Sequence, residues 1–78
     1  MKLKNIQVSF SEGKIKPLSF IMGVREYKVE RVTLMFERSD GGRKYLCFAV
    51  DTGGMVAELA WDLQEFSWRV AKCQPSYA

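Results

Sequence analysis

The chain has 78 residues, 47% of them apolar, 13% aromatic and 27% charged; this is the size of one small domain and too apolar for a disordered segment. It contains no histidine, so the commonest general base near neutral pH and the commonest metal ligand are both missing. The net charge of +3 is mildly basic, and Cys47 and Cys73 are too few and too far apart to make a zinc site.

In chain order, Ile6, Val8 and Phe10 alternate with Gln7 and Ser9 as a first strand, ended by the turn Ser11-Glu12-Gly13. Pro17 opens a second run, Leu18 to Met22, where proline fits a strand start or an edge. Beyond Gly23, the apolar residues Tyr27 and Val29 are odd-numbered while Val32, Leu34 and Phe36 are even. That slip predicts a β-bulge at Glu30-Arg31, which would bend the strand and help a meander to curl. Asp40-Gly41-Gly42 is then expected as a three-residue loop, because an odd loop keeps Val32, Leu34 and Phe36 on the face of Leu46, Phe48 and Val50.

From Arg43 to Asp51 the opposite face carries Tyr45, Cys47 and Ala49. With Asp51 to Gly54 as a loop, Val50 would face Met55, Phe48 would face Ala57 and Leu46 would face Leu59. With Asp62 to Glu65 as the next loop, Trp61 would face Phe66, Leu59 would face Trp68 and Ala57 would face Val70. The fold expected is therefore all-β, an antiparallel meander of five to six short strands curled into a small SH3-like or partly open barrel. Phe20, Tyr27, Phe36, Phe48, Trp61, Phe66 and Trp68 would be its core. The alternative is an α+β fold with a C-terminal helix over 55–72, since Leu59, Leu63, Phe66 and Val70 also make a helical stripe.

The pattern Phe20-x-Met22-x-x-Arg25-x-Tyr27-x-Val29, with Glu58-Leu59, Asp62 and Trp68-Arg69-Val70 downstream, resembles a family of small uncharacterised bacterial all-β domains. Members tend to read F-x-W-x-G-R-x-Y-x-V and end in an acidic turn followed by W-R-V. Here Met22 stands at the tryptophan position, and the glycine, Gly23, comes one place early. The resemblance covers about residues 17 to 72. It implies a β domain and, since some members lie beside error-prone DNA polymerases, an accessory role in DNA repair.

Several local patterns suggest chemistry and have plainer readings. Glu58, Asp62 and Glu65 are the nearest approach to a carboxylate cluster, but Glu58 falls on the outer face and the other two in a turn. Asp51-Thr52-Gly53-Gly54 matches the loop of an aspartyl protease and equally what a tight hairpin selects. Gly41-Gly42-Arg43-Lys44 lacks both the spacing and the helix of a phosphate-binding loop. No enzyme activity, cofactor or metal is expected, and two free thiols are. No apolar run is long enough for a spanning helix and no secretory signal is evident, so a cytoplasmic chain without a membrane partner is expected.

Two binding readings remain. Thr33, Met35, Tyr45, Cys47 and Ala49, with Ala71, would form a sparsely charged outer strip fit for a protein partner or for self-association. Lys14, Lys16, Arg43, Lys44 and Tyr45 would offer cations and one stacking ring to a nucleic acid, the second choice. The basicity is local: Lys2, Lys4, Lys14 and Lys16 against Glu12 account for the whole net charge.

Overall fold

A computed structural model describes residues 1–75, and among these there is no helix. The strands are β1 (Lys2–Leu3), β2 (Asn5–Ser11), β3 (Lys14–Met22), β4 (Arg25–Lys28), β5 (Arg31–Asp40), β6 (Arg43–Asp51), β7 (Met55–Asp62) and β8 (Ser67–Pro75). They form two antiparallel sheets, one in the order β1-β8-β7-β6-β5 and one in the order β2-β3-β4. Residues 55–72, which the helical stripe would have wound up, are instead most of the β7–β8 hairpin.

The eight segments trace six longer strands. Only Lys4 separates β1 from β2, and only Val29-Glu30 separates β4 from β5, so each pair is one strand that bends from one sheet into the other. Every pairing joins neighbours in the chain except β1 with β8, which closes the circuit through Lys2↔Arg69 and Leu3↔Trp68. The result is an all-β, partly open barrel. Between the sheets lies a cluster of Leu3, Phe20, Phe48, Val50, Leu59, Trp68 and Val70 with Ala57. Phe20 is the only member supplied by the small sheet, where it stacks on Tyr27 with 5.4 Å between ring centroids. Pro17 lies inside β3 rather than at its start; there the pairing with β2 shifts, which suits a residue without an N–H.

The inner faces of β6, β7 and β8 are those expected, with registers displaced by two residues. Val50 stands opposite Ala57 rather than Met55, and Trp61 opposite Trp68 rather than Phe66. Both loops begin one residue later than the sequence suggests. In the second, Phe66 takes a left-handed φ of +53° and is 73% exposed, so it belongs to the turn and not the core. Its ring still leans on Trp61, centroids 5.8 Å apart.

The larger correction concerns β5. Asp40 pairs with Arg43, leaving Gly41-Gly42 as a two-residue turn with φ of +57° and +84°. Two successive left-handed residues match the right-handed twist of a hairpin, and glycine adopts them without a Cβ clash. The even loop reverses the parity beyond it, and the strand restores its inner face at Val32 with a bulge at Thr33, not at Glu30-Arg31. There Thr33 and Leu34 together oppose Ala49. Between the bulge and the turn, Leu34 and Phe36 consequently lie on the outer face, and Met35 faces the side of Phe48.

Candidate functional site

The outer face of the five-stranded sheet is built by the residues of β6 that point away from the core, Arg43, Tyr45, Cys47, Ala49 and Asp51, with their neighbours on β5, β7 and β8. It is not the apolar strip expected. Charged pairs cross it: Arg31 to Asp51 at 3.4 Å, Arg38 to Glu58 at 2.8 Å, and Arg43 to Asp62 and Glu65 at 2.8 and 2.9 Å. Arg38 also lies over the Phe36 ring and Arg69 over Tyr45, at 5.5 and 5.9 Å from the centroids. Glu58 Oε1 accepts from Arg38 Nη2 at 3.3 Å, whereas its buried Oε2, although near Nη1, makes a charge contact without hydrogen-bond geometry.

Among these groups Cys47 is completely buried, which corrects its place on an exposed strip. Burial pushes its thiol up, the carboxylate of Glu58 adds to the effect, and Arg38 offsets part of it. A thiol so held is protonated and unreactive. The other members of the strip do not converge. Thr33 is exposed and donates to the Ala49 carbonyl at 3.2 Å, Tyr45 and Ala49 are half-buried, Met35 is on the other face, and Ala71 is exposed where β8 slips against β7.

The cations proposed for nucleic acid are divided too. Lys14 and Lys16 are exposed on β3 in the small sheet, while Arg43, Lys44 and Tyr45 belong to β6 in the large one. Arg43 is committed internally: the hydrogen bonds it donates to Glu65 and then Asp62 hold its guanidinium pKa above the ordinary value. Asp62 is 1% exposed and organises the β7–β8 turn, its Oδ1 accepting from the amides of Gln64 and Glu65 at 2.9 and 3.1 Å. Burial alone would raise its pKa, but those two amides and Arg43 outweigh it and hold the carboxyl below its usual range. The carboxylates picked out in the sequence are thus turn and cross-strand groups. Asp51 likewise folds back on its own loop, with Oδ1 accepting from the Gly53 amide at 2.8 Å.

One surface without a role in the fold is the free edge of β5, the longest of the strands paired on one side only. Among the described strands only β6 runs alongside it, so the backbone groups of Arg31–Asp40 that point away from β6 have no strand to meet. At its centre Leu34 is 58% and Met35 57% exposed although they sit on opposite faces, with Phe36 half-buried beside them. Glu37 and Ser39 share the face of Met35 and are exposed as well, so this half of β5 overhangs the small sheet. Leu34 escaped the sequence reading because parity without a bulge at Thr33 assigns it to the core. A cleft of about 420 Å³ opens elsewhere, between β4 and the 52–55 loop, with Arg25, Tyr27, Lys28 and Cys73 in its walls. Comparison with known protein families, with curated proteins and with solved structures finds no match to this chain.

Proposed function

We propose that this protein is a non-enzymatic binding module that recognises another protein by strand addition at the β5 edge. The observation that carries the reading is the unpaired Arg31–Asp40 edge with Leu34 and Met35 exposed on its two faces. An extended segment laid there would gain main-chain hydrogen bonds from β5, while its alternate side chains met apolar surface above and below. Edge strands are normally blunted, and the bulge at Thr33 with charges at Arg31, Glu37 and Arg38 limits this one to a short apolar centre. The resemblance to domains carried beside DNA polymerases would make repair proteins the first partners to examine. Nucleic acid has thinner support, since Arg43 is neutralised and Tyr45 lies under Arg69.

The test uses the full chain as bait in a native lysate, beside a Leu34→Lys/Met35→Lys bait shown by circular dichroism to be folded. Specific proteins held by the first and lost by the second are expected, together with slowed hydrogen exchange of β5 amides in the complex. Equal retention by both baits, or protection confined to another strand, would refute the reading.

A further inference from the structure

We infer that the occupant of the β5 edge is an extended segment of a different protein, apolar at its centre and basic at the end beside Glu37 and Asp40, and not a second copy of this chain. The inference rests on strand addition at β5 and names the partner it selects. Two observations carry it, the disposition of charge along the edge and the parity imposed by the bulge.

The arginines of β5 are already engaged, Arg31 with Asp51 and Arg38 with Glu58. Glu37 and Asp40 have no ion-pair partner among the described residues, and both are exposed. The uncompensated charge next to the apolar centre is therefore negative at the end of the strand nearest the Gly41-Gly42 turn. A cationic side chain brought opposite Glu37 would gain a cross-strand pair, and an anionic one would be repelled.

Self-pairing fails on register. Across a two-fold axis, residues directly opposite must point to the same face of the joined sheet. Because of the bulge, Leu34, Phe36 and Arg38 face out with Arg31, while Met35 and Glu37 face in with Val32. Centring the pair on Met35 sets Leu34 against Phe36, but places the uncompensated Glu37 of each copy opposite the apolar Val32 of the other. Setting Leu34 against Thr33 and Met35 against Val32 brings Glu37 opposite Glu30. Centring on Phe36 places Met35 against Glu37 and Leu34 against Arg38. Each arrangement that matches faces opposes like charges or sets apolar groups against charged ones.

The experiment uses three capped peptides of roughly eight residues, alternating valine and threonine, as strand-addition probes. One carries two lysines at its amino-terminal end, the second carries glutamates there, and the third is the lysine peptide with alternate backbone nitrogens methylated. Titrated into the full chain and followed by amide NMR shifts, the lysine peptide should perturb β5 and bind at least about tenfold tighter than the glutamate peptide. Glu37→Lys/Asp40→Lys should reverse that order, and the methylated peptide should not bind. Sedimentation should show a monomer. Binding without charge preference, or a dimer dispersed by Leu34→Lys/Met35→Lys, would overturn the inference while leaving strand addition standing. If no peptide shifts a β5 resonance, strand addition fails together with the inference.

Discussion

Replacing Phe20 by alanine should unfold this protein or nearly so. Phe20 is 1% exposed and is the one buried residue of the shared core cluster that comes from the β2-β3-β4 sheet. A buried phenylalanine removes about 150–250 Å² from water, which at ~25 cal/mol per Å² is an upper bound of about 4–6 kcal/mol. Measured Phe→Ala losses of about 3–5 kcal/mol agree. A core of this size supplies a net stability of only about 3–5 kcal/mol, so the substitution consumes most of it. Phe20→Leu keeps much of the volume and gives up the stacking on Tyr27, for a loss of about 1–2 kcal/mol. With a urea dependence near ~1 kcal/mol per molar for a chain this short, the midpoint should fall by about 1–2 M. Unfolding followed by the fluorescence of Trp61 and Trp68 reads this directly. Phe10→Ala is the control: Phe10 is 74% exposed, and its loss should stay within about 0.5 kcal/mol. A Phe20→Ala protein within about 1 kcal/mol of wild type would show that the two sheets are not held together through this ring.

Three further expectations concern turns and thiols. Gly53 has a φ of +94° and the Glu30 carboxylate against the position of a Cβ, so Gly53→Ala should cost about 1–2 kcal/mol, whereas Gly54→Ala, with open space around it and no positive φ, should be close to neutral by urea unfolding. The folded pKa of Asp62 lies below its unfolded value of about 3.9. Its stabilisation is therefore complete above that pH and lost as pH falls toward the folded value, and Asp62→Asn should flatten the decline of the urea midpoint below about pH 4. In the native protein a thiol reagent at about pH 8 should modify the exposed Cys73 at once and Cys47 only on unfolding. Rapid native modification of both would mean that the Arg38–Glu58 cover opens freely.

The part of the fold legible in the sequence is the part where one parity is apolar and the other is not. Trp68 and Val70 against Ser67 and Arg69 leave little freedom, and β8 presents the expected face. The run from Val32 to Phe36 is apolar on both parities, with Thr33 the only polar member, so alternation cannot say which side is core. There the two glycines of the turn decide, by fixing an even loop that forces the bulge. Burial of Cys47 is illegible for another reason: its cover is made by Arg38 and Glu58, which come from β5 and β7 on either side of β6 and meet only once the sheet exists. Phe66 was misplaced because Asp62 draws the amides of Gln64 and Glu65 inward and carries the chain into a left-handed residue that aromatic side chains seldom occupy.

The closure of the circuit by β1 bears on the order of folding. Every other strand pair is a hairpin that can zip locally, while Leu3 must find Trp68 across about 65 intervening positions. Closing a loop of that length costs about 4 kcal/mol in chain entropy, to be recovered from a two-residue strand and the bond from the Val70 amide to the Met1 carbonyl at 2.7 Å. The latch should therefore form last and open first. Among the paired amides, those of Leu3 and Val70 should exchange with solvent through a local opening that leaves the β6–β7 pairs protected, and the rate of that opening sets how often the barrel stands ajar.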